Sequence, residues 1–101
     1  MIDRAALSEA LGLPPAVAQE LIDLFGQFAR EQFPILLRAC AEENRDLLRE
    51  SAHALKGSAL NINLDPIATT ARALEKGAST EPWPELKNAT QDLIALIDAE
   101  L

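Results

Sequence analysis

Apolar residues recur at intervals of three and four along nearly the whole chain, and no stretch alternates β-branched apolar with polar residues as a half-buried strand does. That period restricts the chain to helices that each bury one face. Proline, glycine and capping residues then divide it. Asp3 caps a short first helix that runs to about Leu11 and stops at Gly12, and Pro14 and Pro15 suit the first turn of a second. The second helix continues through Val17, Leu21, Leu24, Phe25 and Phe28 toward Cys40 and Glu43. Pro34 lies inside it and predicts a kink near Gln32 and Phe33, with a break into two helices as the alternative, because Ile35, Leu36 and Leu37 resume the apolar pattern at once.

Asn44 is the expected cap of a third helix from about Arg45 to Ile62, roughly 27 Å long at 1.5 Å per residue. Asn63 tolerates the left-handed conformation that closes a helix; Asp65 and Pro66 then read as cap and first-turn proline of a fourth, which ends near Lys76 and Gly77. Ser79, Thr80, Pro82 and Pro84 mark the last connection, before a fifth helix through Leu86, Leu93, Ile94, Leu96 and Ile97. Short links between long amphipathic helices favour an all-α, antiparallel up-and-down four-helix bundle with a short additional N-terminal helix. The expected core includes Leu21, Leu24, Phe28, Leu48, Leu55, Ile62, Leu74, Leu93 and Ile97.

A chain of 101 residues suits a single domain over residues 1–101, and its 49% apolar content is enough to fill one core. No apolar run approaches the roughly 18 residues a membrane span needs. Met1-Ile2-Asp3-Arg4 lacks the layout of a signal peptide, so a cytoplasmic location is expected. The formal net charge of −7 would repel a phosphate backbone, which argues against nucleic acid and for protein partners. No phosphate-binding glycine loop appears, and one cysteine with one histidine supplies no ligand set for zinc or iron. Cys40 is expected as a small core residue, and no cofactor is expected in this chain.

The one histidine, His53, falls on the third helix. On a 100° wheel Leu48, Ser51, Leu55, Ala59 and Ile62 lie opposite it and form the stripe that packs inward, so His53 points to solvent. Asp46, Arg49, Glu50, Lys56, Gly57 and Leu60 share its face. A lone surface histidine ordinarily has no task, but these neighbours suggest one. A mid-helix glycine costs roughly 1 kcal/mol relative to alanine, and Gly57 leaves the imidazole open to an approaching partner. Arg49 and Lys56 are placed to neutralise an anion carried on the ring, with Asp46 and Glu50 partly offsetting them, while Leu60 offers a docking partner something to bury. A neutral imidazole is a nucleophile, and a phosphoryl group on its nitrogen remains reactive. Transfer needs charge stabilisation, usually by a metal ion, and this chain shows neither a carboxylate cluster for Mg²⁺ nor a nucleotide loop. The partner would supply both.

The stretch AHALKGSALNINL, Ala52 to Leu64, resembles the signature of histidine phosphotransfer (HPt) domains: a histidine, lysine at plus three, glycine at plus four, then small residues. The resemblance extends over the chain, because that family folds as a four-helix bundle with a short extra N-terminal helix. It implies that His53 accepts a phosphoryl group and exchanges it with an aspartate of a response-regulator receiver domain carrying Mg²⁺, downstream of a sensor or hybrid histidine kinase. Lys56 would be the neutralising cation, Gly57 the clearance residue and Ser58 the small residue after it, turned partly inward. Asn63 stands where the family often has glycine, a mild change in the turn. The protein is expected to be monomeric and to act as a carrier without an ATP site of its own. The dimerisation domain of sensor kinases fits poorly: Ala54, Leu55 and Lys56 follow the histidine where an acidic residue is usual, and no proline comes before Pro66. The remaining alternatives are a helical adaptor with an inert His53 and, less favoured, an enzyme acting on a small molecule, since the acidic residues read as scattered over solvated faces.

Overall fold

A computed structural model describes residues 2–101; Met1, part of the segment read for a leader, lies outside the described residues. The elements are α1 (Arg4–Leu11), α2 (Pro15–Ala41), α3 (Arg45–Asn61), α4 (Asp65–Gly77) and α5 (Trp83–Glu100). Helix α2 packs on α3 and α5, α4 packs on α3 and α5, and α1 lies against α2, so the four long helices close a ring around one core. Gln32 of α2 meets Ser51 of α3, and Cys40 and Gly26 of α2 meet Thr90 of α5 and the C-terminal Leu101, so α2 and α5 run antiparallel.

The helix boundaries follow from local chemistry. The Asp3 and Asn44 side chains accept from the amides of Ala6 and Leu47, satisfying donors that a first turn leaves free. Gly12 and Asn63 adopt φ of 66° and 57°, the left-handed geometry that ends a helix. Helix α2 is unbroken from Pro15 to Ala41 with Pro34 inside it, so the alternative of two helices is not realised. Two local expectations need correction. Leu64 takes the cap position of α4 without a side-chain bond, and Asp65 is the first residue of the helix, where its charge still complements the N-terminal dipole. Glu43, expected at the end of α2, is instead in the left-handed conformation at φ 51°, because a three-residue turn has to reverse the chain there.

A further correction concerns the core. Leu24 is 60% exposed, and Leu21 and Phe28 only pack partly against the interior. The buried face of α2 consists of Ala18, Ile22, Phe25, Ala29, Leu36, Ala39 and Cys40. Ala18, Ala29 and Ala39 are fully covered, while the larger Leu24 faces outward. Elsewhere Leu48, Leu55, Ile62, Leu74, Leu93 and Ile97 are buried, as the period requires. Cys40 is buried with its sulfur 3.4 Å from the Thr90 hydroxyl. Arg45, at the start of α3, donates to the carbonyls of Ala78 at 3.0 Å and Glu81 at 2.8 Å and lies over the Trp83 ring, which fixes the α4–α5 connection. Among the described residues no helix is long and apolar enough to cross a membrane.

Candidate functional site

The fold presents His53 at the middle of α3. Capping at Asn44 sets where the helix begins, and burial of Leu48, Ser51, Leu55 and Ala59 sets its rotation, so the imidazole emerges on the opposite side with its side chain 66% exposed. Ser51, placed on the inward stripe, donates to Gln32 Oε1 at 2.7 Å and thereby satisfies its hydroxyl at the α2–α3 contact.

One residue at this site was not anticipated from sequence. Glu75 of α4 reaches across the α3–α4 contact and places Oε2 at 2.7 Å from His53 Nδ1 and Oε1 at 2.7 Å from Lys56 Nζ. The carboxylate thus bridges ring and ammonium. Its pKa is held below the ordinary glutamate value, first by the Lys56 hydrogen bond, against the opposing effect of partial burial, and then by His53. Glu75 is therefore an anion at neutral pH. The expectation that acidic side chains here merely cover solvated faces fails at this position, because helix pairing brings one of them onto the histidine.

The other expected residues fall around this bridge. Lys56 is only 19% exposed and ion-paired, so its charge is anchored beside the ring instead of free in solvent. Arg49 and Glu50 line a shallow depression with His53 and Glu75, but the Arg49 guanidinium contacts Asp46 at 3.5 Å. A Cβ at Gly57 would meet nothing within 4 Å. Ser58 is half-buried and Leu60 is 43% exposed on the histidine's face. Among the described residues no group of three or more His, Cys, Asp or Glu side chains is arranged to hold a metal ion.

Helices α2 to α5 form a bundle that exposes one imidazole, hydrogen-bonded to a carboxylate that also pairs with Lys56. The family model described as Hpt domain matches residues 20–100, and the chain belongs to that family, whose members serve histidine phosphotransfer in two-component signalling. Comparison with curated proteins and with solved structures returned no match.

Proposed function

We propose that this protein carries a phosphoryl group on His53 to and from aspartates of receiver domains in a two-component phosphorelay. One observation carries the reading more than any other: the single imidazole projects opposite the buried Leu48/Leu55 stripe with nothing above Gly57 to obstruct it. A phosphoryl donor bound to another folded domain needs that open approach. Lys56 lies next to the ring and supplies positive charge to the anion, and Arg49 adds to it at the rim of the depression. Leu60, on the histidine's face, offers exposed apolar area for a docking partner.

In this reading the receiver domain brings the Mg²⁺ and the acidic residues that bind it, and a sensor or hybrid histidine kinase supplies phosphoryl groups upstream. The protein works as a cytoplasmic monomer and shuttles the group without cleaving ATP. Incubation with a receiver domain already charged with phosphate, in the presence of Mg²⁺, tests this. The expected result is an acid-labile, alkali-stable adduct, as for phosphate on nitrogen, with no labelling by ATP alone. Failure with every receiver domain of the same cell would leave a helical adaptor with an inert histidine as the better account.

A further inference from the structure

We propose that the groove between α4 and α5 is a docking site for a basic amphipathic helix of a partner protein, separate from the face that presents His53. The inference does not depend on the phosphoryl-carrier reading.

The groove exists because small residues line both helices. Ala73 and Gly77 of α4 and Ala89 of α5 leave a depression of about 300 Å³, closed below by the edges of Leu74 and Leu86. Both leucines are core residues at 2% exposure, so the floor is apolar and close-packed. Thr70 lines the groove from α4, and its hydroxyl already donates to the Pro66 carbonyl at 2.9 Å. A helix laid in such a trough buries one apolar stripe along the floor.

The charge at the rim decides which kind of helix. Glu85 and Asp92 stand seven residues apart on α5, about 10 Å along the axis, with Ala89 between them. Glu81 lies over Gly77, its Cγ 3.0 Å from where a Cβ on that glycine would stand. Among the described residues no cation pairs with any of these three carboxylates. The basic side chains nearby are engaged elsewhere: Lys87 pairs with Glu43 at 3.5 Å, and Arg45 donates to the Ala78 and Glu81 carbonyls and lies over the Trp83 ring. Arg72 and Lys76 do not line the groove. An apolar trough edged by uncompensated carboxylates attracts a helix whose apolar stripe is flanked by cations, and it repels an acidic one. A second copy of this chain, with its net charge of −7, is therefore a poor occupant. Lysine or arginine seven residues apart on the incoming helix would match the spacing of Glu85 and Asp92.

Groove and histidine face different ways. Ala73 and Gly77 each lie two residues from Glu75, about 160° around α4, so the groove opens away from the Glu75–His53 contact. A partner seated there holds the protein and leaves the imidazole accessible.

The test uses two synthetic peptides of about five helical turns. One has leucines at three- and four-residue spacing with lysines seven apart along both edges of the stripe; the other has glutamate in place of each lysine. Fluorescence anisotropy of the labelled peptide measures binding to the folded protein, and amide NMR shifts locate it. The lysine peptide should bind, move the amides of Ala73, Gly77 and Ala89 while leaving that of His53 unmoved, and bind less tightly as salt rises. The glutamate peptide should not bind. Glu85→Lys combined with Asp92→Lys should weaken binding about tenfold, as two exposed ion pairs become two repulsions. The same reversal at Glu20 and Asp23 of α2 should weaken it less than about twofold, through screened charge alone. Ala73→Gln should also weaken it, by filling the trough without altering its charge. All five positions are exposed, so the variants keep the fold. A lysine peptide that does not bind, two peptides that bind alike, shifts centred on His53 and Leu60, or equal effects of the two charge reversals would each overturn the inference.

Discussion

Replacing Gly57 by alanine should stabilise this protein. Most glycines in helices are explained by packing or by backbone geometry, and the comparison within this chain is instructive. A Cβ at Gly26 would lie 3.2 Å from Arg30 Nη1 and 3.4 Å from a Leu101 methyl, and one at Gly77 would lie 3.0 Å from Glu81 Cγ. A Cβ at Gly57 meets nothing within 4 Å, in a helix interior where alanine is the better residue by about 0.8–1 kcal/mol. Because no neighbour has to move, nearly all of that difference should appear as stability, together with a smaller unfolded-state entropy. For a domain of this size it corresponds to a rise in Tm of about 4–8 °C. Urea denaturation followed by helical circular dichroism measures it. Phosphoryl exchange should survive in Gly57→Ala, whereas Gly57→Gln, equally compatible with the helix, should slow exchange roughly ten- to a hundredfold by keeping the partner from closing on His53. A destabilised alanine variant, or a glutamine variant that exchanges at the wild-type rate, would refute the view that Gly57 is there to leave room.

Leu55, fully buried on the face of α3 opposite the histidine, should cost about 2–5 kcal/mol when cut to alanine, measured as a fall in the urea midpoint. Leu24→Ala should change stability by no more than about 0.5 kcal/mol, since its side chain is largely in solvent, as a urea titration would show. Glu75 has a folded pKa below its unfolded one, so its contribution is complete above the ordinary carboxylate range and disappears as pH falls through the lower, folded value. Denaturation of wild type and Glu75→Gln across an acid pH series should therefore show the two stabilities moving together, with the wild type losing more.

The sequence and the structure agree where one helix determines the answer. The rotation of α3 was legible because Leu48, Leu55, Ala59 and Ile62 are spaced to bury a single stripe, and that stripe alone sends His53 outward. Asn63 was legible because few residues accept a left-handed turn. Helix α2 was misread in part because size suggested burial of Leu24, while its buried face mixes Ile22, Phe25 and Leu36 with the small Ala18, Ala29 and Ala39. Glu43 gave no signal, being a charged residue in a conformation glycine or asparagine would suit better. Glu75 was invisible for a different reason. Its importance depends on how α4 lies against α3, and nothing in its own segment distinguishes it from the other surface acids.

The most direct test of the account is to charge a receiver domain with phosphate in the presence of Mg²⁺ and compare transfer to the wild type and to His53→Gln. The wild type should take up the group and return it. The variant should take up none while keeping the helical spectrum and a nearly unchanged Tm, because a side chain this exposed contributes little to the fold. Transfer that persists in a folded His53→Gln protein would contradict the central claim and place the phosphoryl group on another residue.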